Sequence, residues 1–403
     1  MTARIASAIV ARDGRDSVDA DRSYESVAGD RVLSIDEALD FAQQQIHGLI
    51  TRRPGQTPTY TEDGSWVVSE DPWAPSWSAG FLSGLVWMFA DRSQDPWWLE
   101  QARAYSRIVE PRKHDTGTHD IGFLMEPSWG RCYDLTGDAR AREVVIEAGR
   151  TMAGRFMEAG GYLCSWVAPG STFIDIMMNV GIIFRAAEYS GDAQLRQIAE
   201  THALTSRRHL VRGDGSTIHE GWFDTGTGEF VRADTHQGWR TDSSWARGTT
   251  WAIYGFTTAY EHTGNPAFLD AACRAANYYI AMTPSNGVPP NDWLDPSPLT
   301  QWEASAAAVA SAAMLYLSES APAALEVQVY REYGLRILRS LRATTFIAAD
   351  TPGYEGIIKH ATYHQKNGLG IDESVMWGDH YFVEALMRAA RIEADSSTGK
   401  DSV

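Results

Sequence analysis

Residues 171–192 read STFIDIMMNVGIIFRAAEYSGD. A Thr or Ser stands where a helix cap is needed, and an apolar run of helical length follows, closed by Ser-Gly-Asp. Ile174, Ile176, Met177, Met178, Val180, Ile182, Ile183 and Phe184 cover nearly the whole circumference of such a helix, which predicts burial on all sides. Asp175 and, four residues on, Asn179 share one face of it. A carboxylate in such a helix costs several kcal/mol unless something compensates. An Asp at a helix start can also simply cap free N–H groups and suit the dipole.

Working outward, the same grammar recurs. Segments rich in aromatic and small residues end in short polar turns: Ala-Asp-Arg near 91, Thr-Gly-Asp at 136–138, Ser-Gly-Asp at 190–192, Thr-Gly-Asn at 263–265 and Ser-Glu-Ser near 319, with a further segment ending near Ala390. After the turns come amphipathic stretches such as AQLRQIAETHALTSRRHLV and PAFLDAACRAANYYIAM. A buried helix followed by a surface helix, six times over, predicts an all-α fold, an (α/α)6 barrel. Short pieces such as GYLCSW and EFVRA suit hairpins in the loops. The unusual residues sit at the starts of the buried helices, in PSWSAGF, THDIGFLM, FIDIMMN, DSSWARG, TQWEASA and DESVMWGD. Parallel inner helices would bring these ends to one mouth, where a pocket is expected.

Composition narrows the functional classes. The 403 residues carry a net charge of −17, which argues against a general nucleic-acid or membrane binder. Fifteen Trp and sixteen Tyr exceed common usage and suit a site that stacks on sugar rings. Cys132, Cys164 and Cys273 show no metal or redox spacing, which favours a reducing compartment without disulfides. No apolar run approaches the roughly 20 residues of a membrane span, and the N-terminus does not read as a secretory signal. A cytoplasmic protein is expected. Residues 1–30 and 393–403 read as disordered, and 31–392 as one domain without an internal linker.

Asp120 and Asp175 head adjacent inner helices, and paired carboxylates are common equipment for work on glycosidic linkages. Repulsion between them would let one hold a proton near neutrality. Between Asp214 and Arg247 lies the densest set of polar and aromatic groups. His219 and Gln237 fall on expected loops and could orient a hydroxyl or carboxylate. Arg247 and Trp251 share one helix face; Arg247 suits a carboxylate ligand, or else a structural ion pair with Asp242 or Glu303. His236, beside Gln237, reads as a supporting or exposed residue. His360 and His364 have a metal-like spacing if helical, but no third ligand accompanies them, so no metal is expected. Motifs for nucleotide cofactors or a serine nucleophile are missing from the sequence.

The blocks HDIGF, IDIMMN, DGSTIH, THQG, DSSWARGTTWAIYGF and SVMWGDHYFVEAL together resemble the unsaturated glucuronyl hydrolases, glycoside hydrolase family 88, from about Trp77 to Ala390. The resemblance implies an (α/α)6 barrel acting, without metal or cofactor, on oligosaccharides that end in a Δ4,5-unsaturated uronic acid. It implies hydration of the C4=C5 vinyl ether, with Asp175 as general acid/base and Asp120 as its companion. His219 and Gln237 match positions near the uronate and the water, and Trp77, Trp245, Arg247, Trp251 and Trp377 match the sugar site. Glu303 departs from an expected Asp, which bears on subsite preference; Lys359, His360 and His364 are candidates for the second sugar. The related unsaturated rhamnogalacturonyl hydrolases share the barrel, and an ordinary glycosidase using the Asp pair is the alternative chemistry. A monomer or homodimer is expected.

Overall fold

A computed structural model describes residues 30–68, 76–321 and 326–397; residues 1–29 and 398–403, read as disordered ends, lie outside the described residues. Helix α1 spans Ile35–Arg52, and α2 (Ala79–Ser93) is followed by α3 (Pro96–Val109). Next come α4 (Ile121–Met125), a π turn over Glu126–Gly130, α5 (Arg131–Thr136) and α6 (Ala139–Ala153). The quoted stretch supplies α7 (Ile176–Asn179) and α8 (Gly181–Ser190), followed by α9 (Ala193–Leu210). Finally come α10 (Ala246–Thr263), α11 (Pro266–Met282), α12 (Ala304–Ser320), α13 (Glu326–Leu341) and α14 (Met376–Ser397). The last helix therefore continues past the expected boundary at Glu393.

The recurring turns have a common construction. In Thr136-Gly137-Asp138, Ser190-Gly191-Asp192 and Thr263-Gly264-Asn265 the hydroxyl donates back to the carbonyl four residues earlier. It also accepts the N–H two residues ahead. The glycines take φ of 65°, 73° and 67°, the left-handed end of a helix where a side chain would be strained. Asp138, Asp192 and Asn265 then cap the next helix through their side chains. Three residues thus stop one helix and start its antiparallel neighbour. Ser93-Gln94-Asp95 does the same with Gln94 at φ 55°.

Burial alternates with this punctuation. Every residue of α2 from Ala79 to Ala90 is buried, and α12, built mainly of Ala and Ser, is buried from Ala304 to Leu315. Outer helices such as α3, α6 and α9 bury one face only. Among the described residues the buried helices neighbour one another in the order α2, α4, α7, α10, α12, α14 and back to α2, a closed ring. Their apolar side chains form one continuous core.

Small antiparallel sheets decorate the ring: β1 (Tyr60–Glu62) with β2 (Ser65–Val67), β3 (Phe156–Met157) with β4 (Tyr162–Leu163), β5 (Ser171–Phe173), β6 (Glu220–Phe223) and β7 (Phe230–Asp234) in that order, and β8 (Ala361–His364) with β9 (Leu369–Glu373). The segments GYLCSW and EFVRA do contribute strands, β4 and β7. The quoted stretch is less simple than one capped helix. Ser171 is in β5, where its hydroxyl donates to Glu220 at 2.5 Å, and the helix is interrupted at Val180. Pairing of Phe173 with Glu220, and the 2.9 Å bond from Ile174 N–H to His219 C=O, tie the start of α7 to His219, just ahead of β6.

Candidate active site

A cavity of about 990 Å³ opens where the inner helices begin. Trp77 ahead of α2, Asp120 ahead of α4, Asp175 ahead of α7, and Trp245, Arg247 and Trp251 at the start of α10 all line it. Gln237, Tyr363 and His364 reach it from loops and β8, and Trp166, 55% exposed, stands at its rim. The space suits a sugar chain of more than one residue.

The two carboxylates are placed by packing between α4 and α7. A Cβ on Gly122 would stand 2.5 Å from the Cα of Asn179, so only glycine permits this approach. Asn179 then stitches the helices together: its Oδ1 accepts from Phe123 N–H at 2.7 Å, and its Nδ2 donates to Asp175 C=O at 3.1 Å. Asp120 and Asp175 both occupy helix-cap positions, yet neither side chain makes a cap hydrogen bond. The capping explanation for these two residues therefore fails. Asp120 instead accepts the Thr118 hydroxyl at 2.7 Å.

A histidine stands behind each carboxylate, and its tautomer is fixed by the backbone. His219 Nδ1 lies 3.2 and 3.3 Å from the donating N–H groups of His236 and Gln237, which leaves the proton on Nε2. That Nε2 faces Asp175 Oδ1 at 3.7 Å. His119 repeats the pattern, its Nδ1 accepting from Trp166 N–H and its Nε2 lying 3.5 Å from Asp120 Oδ1. Both His219 Nε2 and Asp175 Oδ1 are buried without a hydrogen-bond partner, and the gap between them exceeds hydrogen-bond length. Burial pushes the Asp175 carboxyl up to about 7, and the negative charge of Asp120 adds to this. Burial also holds His219 neutral, well below its usual range.

Arg247 is 2% exposed and heavily committed. One terminal nitrogen donates to Thr362 C=O at 2.8 Å and lies 3.4 Å from Glu303; the other donates to Tyr363 C=O and to Gln237 Oε1, both at 2.7 Å. Its guanidinium carbon lies 4.4 Å from the Trp245 ring and 5.1 Å from the Trp377 ring. Of the two ion-pair partners open to it, Glu303 is the one used, while Asp242 pairs with Arg240 at the surface.

Several expectations need correction. Trp377 is fully buried behind Trp77, ring centroids 4.8 Å apart, and braces the wall instead of lining it. His219 is likewise buried, touching Asp175 and not the cavity surface. Lys359 donates to Thr344 C=O and Thr351, and His360 packs on Trp302 and Phe346, so neither lies at the cavity. Only His364 of that trio lines it, since His360 precedes β8 with a left-handed φ of 65° and its ring turns to Trp302. His236 does line the cavity, and its Nε2 meets the buried Glu220 carboxylate at 3.1 Å, which raises its proton affinity. Among the described residues no cluster of three or more His, Cys, Asp or Glu could hold a metal ion.

Sequence reading missed Trp166, Tyr363, Phe173 and Phe123 as wall residues. Trp166 carries a signal, since it ends the hairpin segment GYLCSW; Tyr363 lies inside KHATYH, where the histidines are the stronger signal.

No family model matches the chain. The unsaturated glucuronyl hydrolase of Bacillus sp. (strain GL1) is 32% identical over 374 residues, covering 89% of this chain and 96% of that protein. The crystal structure of the Bacillus sp. GL1 enzyme, described as responsible for the degradation of glycosaminoglycan, superposes with a TM-score of 0.83 at 29% identity, covering 89% of this chain and 97% of that one. A variant of the Streptococcus agalactiae unsaturated glucuronyl hydrolase complexed with dGlcA-GalNAc6S matches with a TM-score of 0.76 at 28% identity, covering 90% of this chain and 93% of that one. With a relative this similar over nearly its whole length, and the motif residues gathered at one cavity, the chain belongs to the unsaturated glucuronyl hydrolases, glycoside hydrolases of family 88.

Proposed function

We propose that this enzyme, an (α/α)6 barrel, removes a Δ4,5-unsaturated uronic acid from the non-reducing end of lyase-generated oligosaccharides by hydrating the C4=C5 vinyl ether. Asp175 is the general acid/base. Its protonated carboxyl delivers a proton to C4, and the electron-poor C5 is stabilised by the Asp120 charge and the aromatic walls. Water adds its oxygen to C5 and returns a proton to Asp175. The hemiketal at C5 then breaks its bond to the ring oxygen, and the resulting hemiacetal at C1 releases the remaining sugar. Atoms balance with one water consumed.

The observation that carries this reading is Asp175 itself: a largely enclosed carboxyl with one buried, unpartnered oxygen, holding its proton to about pH 7 inside the cavity. An enol-ether carbon needs an acid of that kind. Loss of the ultraviolet band of the C4=C5 bond, followed with sulfated and unsulfated unsaturated disaccharides, tests it. Bleaching by wild type and none by Asp175→Asn is expected. Cleavage of a saturated aryl glycoside with no bleaching would replace hydration by ordinary glycosidase chemistry.

A further inference from the structure

The buried carboxylate of Glu303 has no part in the chemistry just described, yet it lies one residue away from it. Glu303 caps the start of α12, and its Oε1 accepts from Ser305 N–H, the Ser305 hydroxyl and Thr362 N–H at 3.2, 2.6 and 3.1 Å. Its Oε2 accepts from Ala306 N–H at 2.8 Å and faces the Arg247 guanidinium at 3.4 Å. Arg247 in turn grips Gln237 Oε1 at 2.7 Å. A guanidinium has only donors, so the amide oxygen must face it, and Gln237 is left with its Nε2 hydrogens for the cavity it lines. Both terminal nitrogens of Arg247 are occupied by protein acceptors, so the guanidinium acts through Gln237 and through its charge.

We infer that Glu303 is a positioning residue for the reaction: through Arg247 it fixes Gln237 as a hydrogen-bond donor toward the cavity and offsets the guanidinium charge that Asp175 feels. The inference rests on Asp175 being the acid. The sign follows from charge alone. Arg247 favours the ionised form of Asp175, and Glu303 counters Arg247. Removing the negative charge of Glu303 therefore makes Asp175 lose its proton at lower pH. The other ionisable groups around Asp175 are Asp120 and His119 ahead of α4, His219 ahead of β6, His236 after β7 and His364 in β8. None of them hydrogen-bonds to Glu303 among the described residues.

The test is the pH profile of kcat/KM on an unsulfated Δ4,5-unsaturated disaccharide for wild type, Glu303→Gln and Gln237→Glu, with a melting curve for each. Glu303→Gln is expected to move the alkaline limb down by about half to one pH unit. Gln237→Glu, which adds a negative charge at the other end of the relay and replaces the donor with an acceptor, moves it up and raises KM about tenfold or more. Glu303→Asp keeps the charge and leaves the limb in place, and should Glu303→Gln not fold, the limb of Gln237→Glu decides the outcome. A purely structural Glu303 would lower melting temperature and amplitude with the limbs unmoved, and unmoved limbs in Glu303→Gln and Gln237→Glu overturn the proposal. Absence of any bleaching by wild type would instead overturn the functional reading, and this inference with it.

Discussion

The two ends of the helical ring are both polar, and an acid at each, Asp175 and Glu384, is treated in opposite ways. At the end where the inner helices begin, Asp175 stands in the large cavity with an oxygen and a facing histidine nitrogen both unpartnered. At the far end a second cavity of about 360 Å³ is lined by Glu126, Asp134, Arg185, Glu384 and Arg388 among others, and most of its charges are paired. Arg185 lies 2.9 Å from Glu126 and 2.8 Å from Asp134, while Arg388 lies 2.9 Å from Glu384 and also pairs with Glu319. Burial raises the proton affinity of both Asp175 and Glu384. At Glu384 the Arg388 and Arg131 charges reverse this and bring the carboxyl to about 2, whereas at Asp175 the Asp120 charge reinforces it to about 7. The difference teaches that neighbouring charges set the outcome where they are strong enough to offset burial: they do so at Glu384, whereas at Glu126 burial outweighs the Arg185 pair and the carboxyl stays raised.

Substitutions can break this contrast from either side. Asp175→Asn removes the donor and should lower kcat about 10³-fold in the bleaching assay; a variant within tenfold of wild type would sink the assignment. Because the Asp175 pKa is raised in the fold, the stability it contributes is complete below its ordinary range and is lost as pH rises toward 7. The Asn variant should therefore melt higher than wild type above pH 7.

Arg388→Met takes from the buried Glu384 its direct ion-pair partner, leaving it the Tyr254 hydroxyl and the Arg131 charge, and should cost roughly 3 kcal/mol of unfolding free energy in denaturant titrations. The kcat of the folded molecules should not change. Here the sign is opposite: Glu384 is depressed, so its contribution is present above about pH 4.5 and is lost as pH falls toward 2. Equal acid resistance of wild type and variant would show that the far-end pairs contribute nothing.

Asp120→Asn sharpens the near end. It should lower kcat about 10- to 100-fold and shift the alkaline limb to lower pH, since the like charge that helps Asp175 keep its proton is gone. An unmoved limb would mean that burial alone sets Asp175. The smallest effect is expected from Trp166→Ala at the rim: KM for a disaccharide should rise several-fold, roughly 1 kcal/mol of lost stacking, with kcat unchanged. A change confined to kcat would place Trp166 nearer the chemistry than the rim.

Much of the architecture was legible because the turns are written locally. Thr-Gly-Asp and its variants contain every atom needed to stop one helix and cap the next, so the alternation of buried and amphipathic helices could be read directly. The strand at Ser171–Phe173 was not legible, because its partner lies near Glu220, and a hydroxyl that could have capped a helix was taken by that distant carboxylate. That His360 and His364 part company was not legible either: His360 precedes β8 at φ 65° and packs on Trp302 and Phe346, so only His364 reaches the cavity. Trp377 was placed in the right neighbourhood but at the wrong depth, since sequence carries no measure of which aromatic ring stands in front of another.

By itself the sequence determined the residue types at the helix starts, the hydrophobic circumference of the inner helices, the punctuation between them and the candidacy of Asp120 and Asp175. These depend on local propensity and periodicity, which act over a few residues. The tertiary structure decided which buried groups were left unpaired. Asn179 against Gly122, His219 behind Asp175 and Glu303 beneath Arg247 are contacts between segments far apart in the chain. A proton affinity is the sum of burial and the charges around it, and both exist only once those segments have met.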